Sequence, residues 1–281
     1  MKNIENYLNH LKLEGKASNT IETYSYHLNR FHYWFSKANM KIDILKPSDL
    51  LDFRENLSLE GKTARTINAV LSCVRGYFDY LILKEIVITN PVSAALTIQV
   101  KNIIVEPLTD EQLQLFKSHI GNWKININAA FHLMLATGAR VGEVAGLQKG
   151  DFKLIDGKLW INIEDAKWGS DRRIPVLYKD SAIIIYKYLE TIDIYNAPAF
   201  RVSRRTLQTY ADQFKNDTGI KFSCHVLRHT LATRLLESGV DIEKIRYMLG
   251  HKTHNMTRHY TQTAKMNVAD LAPTIWQGDK I

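Results

Sequence analysis

The sequence predicts a mainly α protein in two parts, an N-terminal helical bundle and an α+β domain with one small three-stranded antiparallel sheet. Three observations predict it. Apolar residues recur at three- and four-residue spacing through the first hundred positions, an aperiodic stretch interrupts them from Gln99 to Pro107, and the only β-branched segments lie between Phe152 and Leu177. At 281 residues, 45% hydrophobic and 23% charged, the chain has ample material for packed cores without metal or disulfide staples.

The first part, 1–98, accommodates four helices. Ile21, Tyr24, Leu28, Phe31 and Phe35 mark one apolar face, and Asn19 with Glu22 reads as a cap that starts this helix near Thr20. Pro47 and Ser48 open another helix that ends near Gly61. Thr63 opens a long one carrying Ile67, Val70, Leu71, Val74, Phe78 and Leu81. A linker is expected over 99–108. Thr109 to Gln112 then forms a capping box for a helix to His119, and a second helix covers Ile125 to Thr137. Gly138 interrupts before a short segment from Gly142 to Leu147. Strands follow at Phe152 to Ile155, Lys158 to Ile163 and Arg172 to Leu177, with Asp156-Gly157 as the first hairpin turn. The rest of the second domain, 109–281, returns to helices near 180–190, 203–217, 225–238, 241–249 and 253–263.

Charge supplies the first functional clue. Lys and Arg number 37 against 29 Asp and Glu, a net +8. The first 98 residues hold 12 basic and 10 acidic side chains, whereas 99–281 hold 25 and 19, so the excess sits mainly in the second part. Such a balance favours a polyanion such as nucleic acid. Two cysteines, Cys73 and Cys224, are too few for a disulfide framework and fit a reducing, cytoplasmic compartment. No apolar run approaches the roughly 18 residues of a membrane span, and Met1 to His10 lacks a signal-peptide core.

The chemistry-bearing residues fall in the second part. They are Thr137-Gly138-Ala139-Arg140, Glu143, Lys167, His225-Val226-Leu227-Arg228-His229, Leu249-Gly250-His251, and Tyr260, nine residues after that last His. In order and spacing this set resembles the tyrosine recombinases, the integrase family that includes the Xer-type enzymes, and the similarity spans essentially the whole chain. The residue types suit phosphodiester chemistry. Attack on an anionic linkage spreads charge over nonbridging oxygens, which the forked, permanently charged guanidiniums of Arg140 and Arg228 match. His225 and His251 can donate hydrogen bonds or move protons. Only about one tyrosine in a thousand is ionised at pH 7, so Tyr260 must lose its proton as it attacks.

The resemblance implies more. Tyr260 would attack the scissile phosphate to give a 3′-phosphotyrosyl link and a free 5′-hydroxyl, whose reverse attack joins a new strand without ATP, metal or other cofactor. Lys167 would protonate the departing 5′ oxygen; it is chosen because it stands eight residues before Pro175, although the family's Gly-Lys-Gly is here Ala166-Lys167-Trp168-Gly169. Lys158, Arg172 and Arg173 compete for that role. Glu143 would orient an active-site group, the plain alternative being a helix salt bridge to Arg140. The SAM-like N-terminal domain would clamp one face of double-stranded DNA bearing inverted repeats and the catalytic domain the other. Four protomers, monomeric when free, would act together, with the apolar segment 264–281 docking onto a neighbour, the plain alternative being packing on its own domain.

Other readings stay open at this level. Arg65 and Arg75, interleaved with Tyr77 and Tyr80, can track a DNA backbone or simply face solvent. Arg204 and Arg205 after Ser203 can clamp a phosphate at a helix start, or be solvated. Cys224, His225, His229, His251 and His254 invite a zinc reading, but no paired Cys-x-x-Cys or His-Glu-x-x-His accompanies them. Cys224 beside His225 also admits a thiol nucleophile. A glycine-centred turn within Arg234 to His251 resembles a helix-turn-helix, which makes a DNA-binding regulator without strand cleavage the alternative function. An enzyme whose main task is relaxing supercoils shares the cleavage chemistry.

Overall fold

A computed structural model describes residues 2–100, 105–164, 171–250 and 271. Two compact units emerge, Met1–Ile103 and Ile104–Ile281, each with its own hydrophobic core. Among the described residues no helix is long and apolar enough to cross a membrane.

The first unit is built from α1 (Lys2–Leu13), α2 (Ser18–Lys37), α3 (Pro47–Leu59) and α4 (Ala64–Leu83). α4 is its centre and buries nine side chains, from Ile67 to Leu81. Phe31 on α2 meets the edges of Phe53 from α3 and Phe78 from α4, so three helices lock through aromatic contacts. The Thr63 side chain caps α4 by accepting from the Thr66 amide at 3.3 Å. The expected cap on α2 is corrected: the helix begins at Ser18 with Ala17 at its N-cap and no side-chain hydrogen bond. Asn19 already lies inside the first turn, where its carbonyl accepts from Thr23. The chain after α4 is tied back by Asn68, which exchanges two hydrogen bonds with the backbone of Ile98.

The second unit opens on the capping box of α5 (Asp110–Gly121), where Thr109 and Gln112 satisfy each other's backbone amides. Just before it, the Leu108 amide donates to the buried Thr230 hydroxyl at 2.9 Å. α6 (Ile125–Thr137) is apolar on nearly every side and buries ten of its thirteen residues, as a helix surrounded by its own domain must. α8 (Lys179–Leu189) and α10 (Cys224–Glu237) both pack on it. α7 (Val141–Gly146), α9 (Arg204–Thr218) and α11 (Ile242–Leu249) complete the described α-helices.

β1 (Phe152–Ile155), β2 (Lys158–Ile163) and β3 (Arg172–Pro175) form one antiparallel sheet in that order. Both turn residues between β1 and β2, Asp156 and Gly157, have positive φ, as a two-residue hairpin with right-handed strand twist requires. Along β2, Leu159, Ile161 and Ile163 face the core while their neighbours are partly exposed. β3 ends two residues earlier than expected, at the proline.

One buried polar pair crosses the core of this unit. His132 on α6 shares a 2.9 Å hydrogen bond with Ser181 on α8. Burial first, then the charge of Lys117, pushes its pKa down to about 4, with Asp180 opposing. The unfolded chain takes up this proton near pH 6.5, so the contribution to stability is intact above that value and is lost as pH falls toward 4. The loss is about 3 kcal/mol. Urea midpoints at pH 7 and pH 4.5 should show a smaller acid loss in His132→Gln; an equal loss would assign acid sensitivity to other groups.

Candidate active site

Arg140 is placed by a chain reversal that only glycine makes well. α6 ends at Thr137, and Gly138 adopts a left-handed conformation at φ 65° that turns the chain into α7. A Cβ at Gly138 would stand 2.5 Å from Leu249 Cδ2 and 3.2 Å from Leu231 Cδ2, so the position is also packed tight. The Thr137 hydroxyl stiffens the bend by donating to the Leu133 carbonyl at 2.6 Å and accepting from the Ala139 amide. Arg140 then becomes the N-cap residue of α7, with Glu143 at the third helical position. Glu143 accepts from the Arg140 backbone amide at 2.7 Å and from its guanidinium at 2.8 Å, which fixes main chain and side chain together. Gly138→Ala combines a left-handed alanine with overpacking and should cost roughly 2 to 4 kcal/mol in urea unfolding. An unchanged midpoint would refute the close approach.

Arg228 comes from the second turn of α10 and is buried. Its Nη1 donates to the Gly138 carbonyl at 2.8 Å and its Nη2 to the Leu249 carbonyl, so the same glycine that turns the chain toward Arg140 also anchors Arg228. Burial lowers the Arg228 pKa to about 10, with help from the charges of Arg140 and Arg172 and against Glu143; the group remains a cation at neutral pH. His225 lies one helical turn earlier on α10, exposed at the surface. Partial burial, then Arg228, His229, Arg140 and Arg204 in turn, lower its pKa, which keeps it neutral at pH 7 and able to donate or accept.

The last turn of α11 is where the cations meet. Its closing carbonyls lack helical partners and carry the negative end of the helix dipole. Met248 accepts from Arg172 Nε at 2.8 Å, Leu249 from Arg228, and Gly250 from Arg140 Nη2 at 2.9 Å. Three successive carbonyls are thus taken by three different arginines. Gly250, left-handed at φ 62°, ends the helix there. Arg172 also reaches Glu143, through Nη2 at 3.0 Å and Nη1 at 3.3 Å, so each arginine engages both carboxylate oxygens. Burial alone would raise the Glu143 pKa, but the bonds and charge of Arg172, then the hydrogen bonds of Arg140, hold it below the usual carboxylate value. Three cations around one carboxylate leave a surplus of positive charge, and Arg140 retains 29% of its side-chain exposure. Such a cluster can hold a phosphate and stabilise charge developing on it.

Arg140, Glu143, His225 and Arg228 are therefore brought together. Lys167, His251 and Tyr260 lie outside the described residues, as do His254, the expected helix 253–263 and all of the terminal segment 264–281 except Leu271, which packs against the core of the second unit. Arg204 and Arg205 open α9 behind a Ser203 cap and are exposed. In the first unit Arg65 is exposed on α4. Arg75 instead donates to the carbonyls of Val92 and Ser93. Tyr77 and Tyr80 are buried against Tyr7, so the interleaved aromatic track is corrected: these rings belong to the core. Burial pushes the Cys224 thiol up to about 11, which removes the thiolate a nucleophile needs at neutral pH. Among the described residues no group of three or more His, Cys, Asp or Glu could hold a metal ion. A glycine turn does join α10 to α11, with Gly239 at φ 76°, but Ile245, Met248 and Leu249 of α11 are buried and its end is occupied by the arginines.

Arg172 is the residue whose part the sequence did not reveal. A signal existed: Arg172 is two residues from Ile174 on β3 and shares its core-facing side, whereas Arg173 points the other way, to Asn162. A charged side chain in that phase requires a buried partner.

Known proteins resemble this chain in sequence and in fold. The model of the phage integrase family matches residues 106–267, and that of the phage integrase N-terminal SAM-like domain matches residues 4–85. The chain is 30% identical over 274 residues to the tyrosine recombinase XerA of Pyrococcus furiosus, covering 93% of this chain and 90% of that protein. It is 27% identical over 279 residues to the tyrosine recombinase XerC of Thermodesulfovibrio yellowstonii, covering 92% and 90%. Its fold is shared with a lambda integrase dimer bound to a COC′ core site, at TM-score 0.71 and 20% identity over 91% of this chain and 96% of that one. The Tn1549 transposon integrase in complex with circular intermediate DNA gives TM-score 0.70 at 19% identity, over 90% and 92%.

Proposed function

Because the chain belongs to the phage integrase family of tyrosine recombinases, enzymes that cleave and rejoin DNA, we propose that it exchanges strands at specific DNA sites with Tyr260 as nucleophile and Arg140, Lys167, His225, Arg228 and His251 as the groups around the phosphate. The observation that carries this reading is the convergence of Arg140 and Arg228 on the end of α11, one residue before His251. In the reaction the Tyr260 oxygen forms a bond to the scissile phosphorus as the bond to the 5′ oxygen breaks. Arg140 and Arg228 bind the nonbridging oxygens; His225 and His251 bond the same oxygens or relay the tyrosine proton; Lys167 gives its proton to the leaving 5′ oxygen. The liberated hydroxyl of another strand then reverses these steps. Glu143 touches no DNA and orients Arg140.

Arg65, Arg204 and Arg205 contact backbone phosphates, and Arg75 does so only with donors beyond those held by Val92 and Ser93. The domains are 1–98, a linker 99–108 and the catalytic part from 109, with 264–281, apart from Leu271, docking between protomers. By analogy with the lambda integrase tetramer bound to a Holliday junction, four protomers assemble on DNA. The reaction takes place in the cytoplasm and uses no cofactor.

The test begins with duplexes that Tyr260→Phe protein retains from a random-sequence pool. Resynthesised with a bridging 5′-sulfur at each phosphate in turn, they should trap wild-type protein covalently at one position, EDTA should not prevent it, and Tyr260 should carry the adduct. An adduct on another residue, or none, overturns the reading. Exchange between two such sites distinguishes recombination from simple relaxation of supercoils. The sulfur also tests Lys167: a thiol, with pKa near 8.5, departs without an acid, so Lys167→Ala should slow cleavage of the oxygen substrate far more than the sulfur one. Equal slowing would remove Lys167 from the proton transfer.

A further inference from the structure

On β3 the Arg172 side chain is 1% exposed, which keeps it from any phosphate in the groove. Its Nε holds Met248 at the end of α11, and its two remaining nitrogens hold both oxygens of Glu143 at the start of α7. Glu143 in turn holds Arg140. One planar fork therefore fixes the angle between two elements that approach from different parts of the chain, as a rigid guanidinium can and a flexible ammonium cannot.

There is also an electrostatic reason for it. A carboxylate paired with Arg140 alone would offset that residue's charge where the phosphate needs it. Arg172 adds a second positive charge that offsets the carboxylate, so the cluster stays net positive where the phosphate needs it. A buried ion pair contributes little to net stability compared with an apolar pair of the same size, so stability alone does not account for this one.

We propose that Arg172 is a positioning residue for strand cleavage: by gripping Glu143 and Met248 at once it sets the orientation of Arg140 and of the chain entering His251. The proposal rests on the recombinase reading above. It acts through Glu143, and that makes it testable by non-additivity.

Single-turnover cleavage of the sulfur-substituted duplex is measured for wild type, Arg172→Met, Glu143→Gln and the double variant, with DNA affinity and thermal midpoint for each. Arg172→Met should cleave about 10- to 100-fold more slowly, as loss of a supporting outer residue does, with affinity within about threefold. In the Glu143→Gln background the same change should cost less than about threefold further. Where Arg172→Met fails to fold, Arg172→Lys replaces it in the same cycle; it keeps the charge but cannot reach both partners, so it too should cleave slowly. Multiplying losses, unchanged cleavage, or cleavage that follows the thermal midpoint across the set would overturn the positioning role alone. A wild-type control that forms no adduct would overturn the recombinase reading as well.

Discussion

Tyr260→Phe protein should bind its DNA site with wild-type affinity and form no covalent adduct. The substitution removes one oxygen, so contacts to phosphates by arginines elsewhere are unaffected, whereas the bond to phosphorus has lost the atom that makes it. This is the largest effect expected from any single change, a complete loss and not a slowing. A neighbouring tyrosine or serine cannot substitute, because in-line attack needs the oxygen within about 3 to 3.5 Å of phosphorus and aligned with the departing one. The measurement is a denaturing gel of protein trapped on the sulfur-substituted duplex. Adduct at wild-type yield with Tyr260→Phe would assign the nucleophile elsewhere. Loss of both adduct and affinity would instead give the hydroxyl a part in folding or docking.

Arg228→Ala should lower the cleavage rate by roughly 10² to 10³, the cost of one donor to a developing oxyanion. Its second consequence is structural. Arg228 is the donor that Gly138 and Leu249 share, so removing it leaves two inward carbonyls without that partner, at about 1 to 3 kcal/mol for each unsatisfied group. Arg140→Ala separates the two effects, because that side chain is more exposed and its removal disturbs less packing. Its cleavage rate should fall by a similar factor with a smaller change in thermal midpoint. Arg228→Lys keeps a cation but cannot span both carbonyls, and should recover only a small part of the lost rate. Affinity for the duplex should change much less than cleavage in all three. Losses of equal size in binding and cleavage would assign these arginines a general electrostatic role.

Elsewhere the fold was legible wherever a local rule decides the outcome. Thr63 and Thr109 marked helix starts because a hydroxyl beside an orphan amide has few better uses, and Asp156-Gly157 marked a hairpin because both positions need positive φ. Asn19 misled because a cap-like residue type does not fix where a helix begins: α2 starts one residue earlier, at Ser18, with Ala17, Ser18 and Asn19 all exposed and no side chain capping the first turn. Tyr77 and Tyr80 misled because an aromatic beside a basic residue looks the same on a DNA-facing surface and at the edge of a core.

From the sequence alone came the chemical inventory: two arginines, two histidines, a lysine and a tyrosine in an order that phosphodiester transfer explains, on a mainly helical chain with one small sheet. Those are properties of residue type and spacing, which survive without coordinates. Only the tertiary structure decided that Met248, Leu249 and Gly250 each receive a different arginine, and that Arg172 joins Glu143 to the end of α11. Residues 143, 172 and 248 are far apart along the chain, and no periodicity links them. Their meeting follows from where a buried strand side chain must find a charge partner, a question that only packing in three dimensions answers.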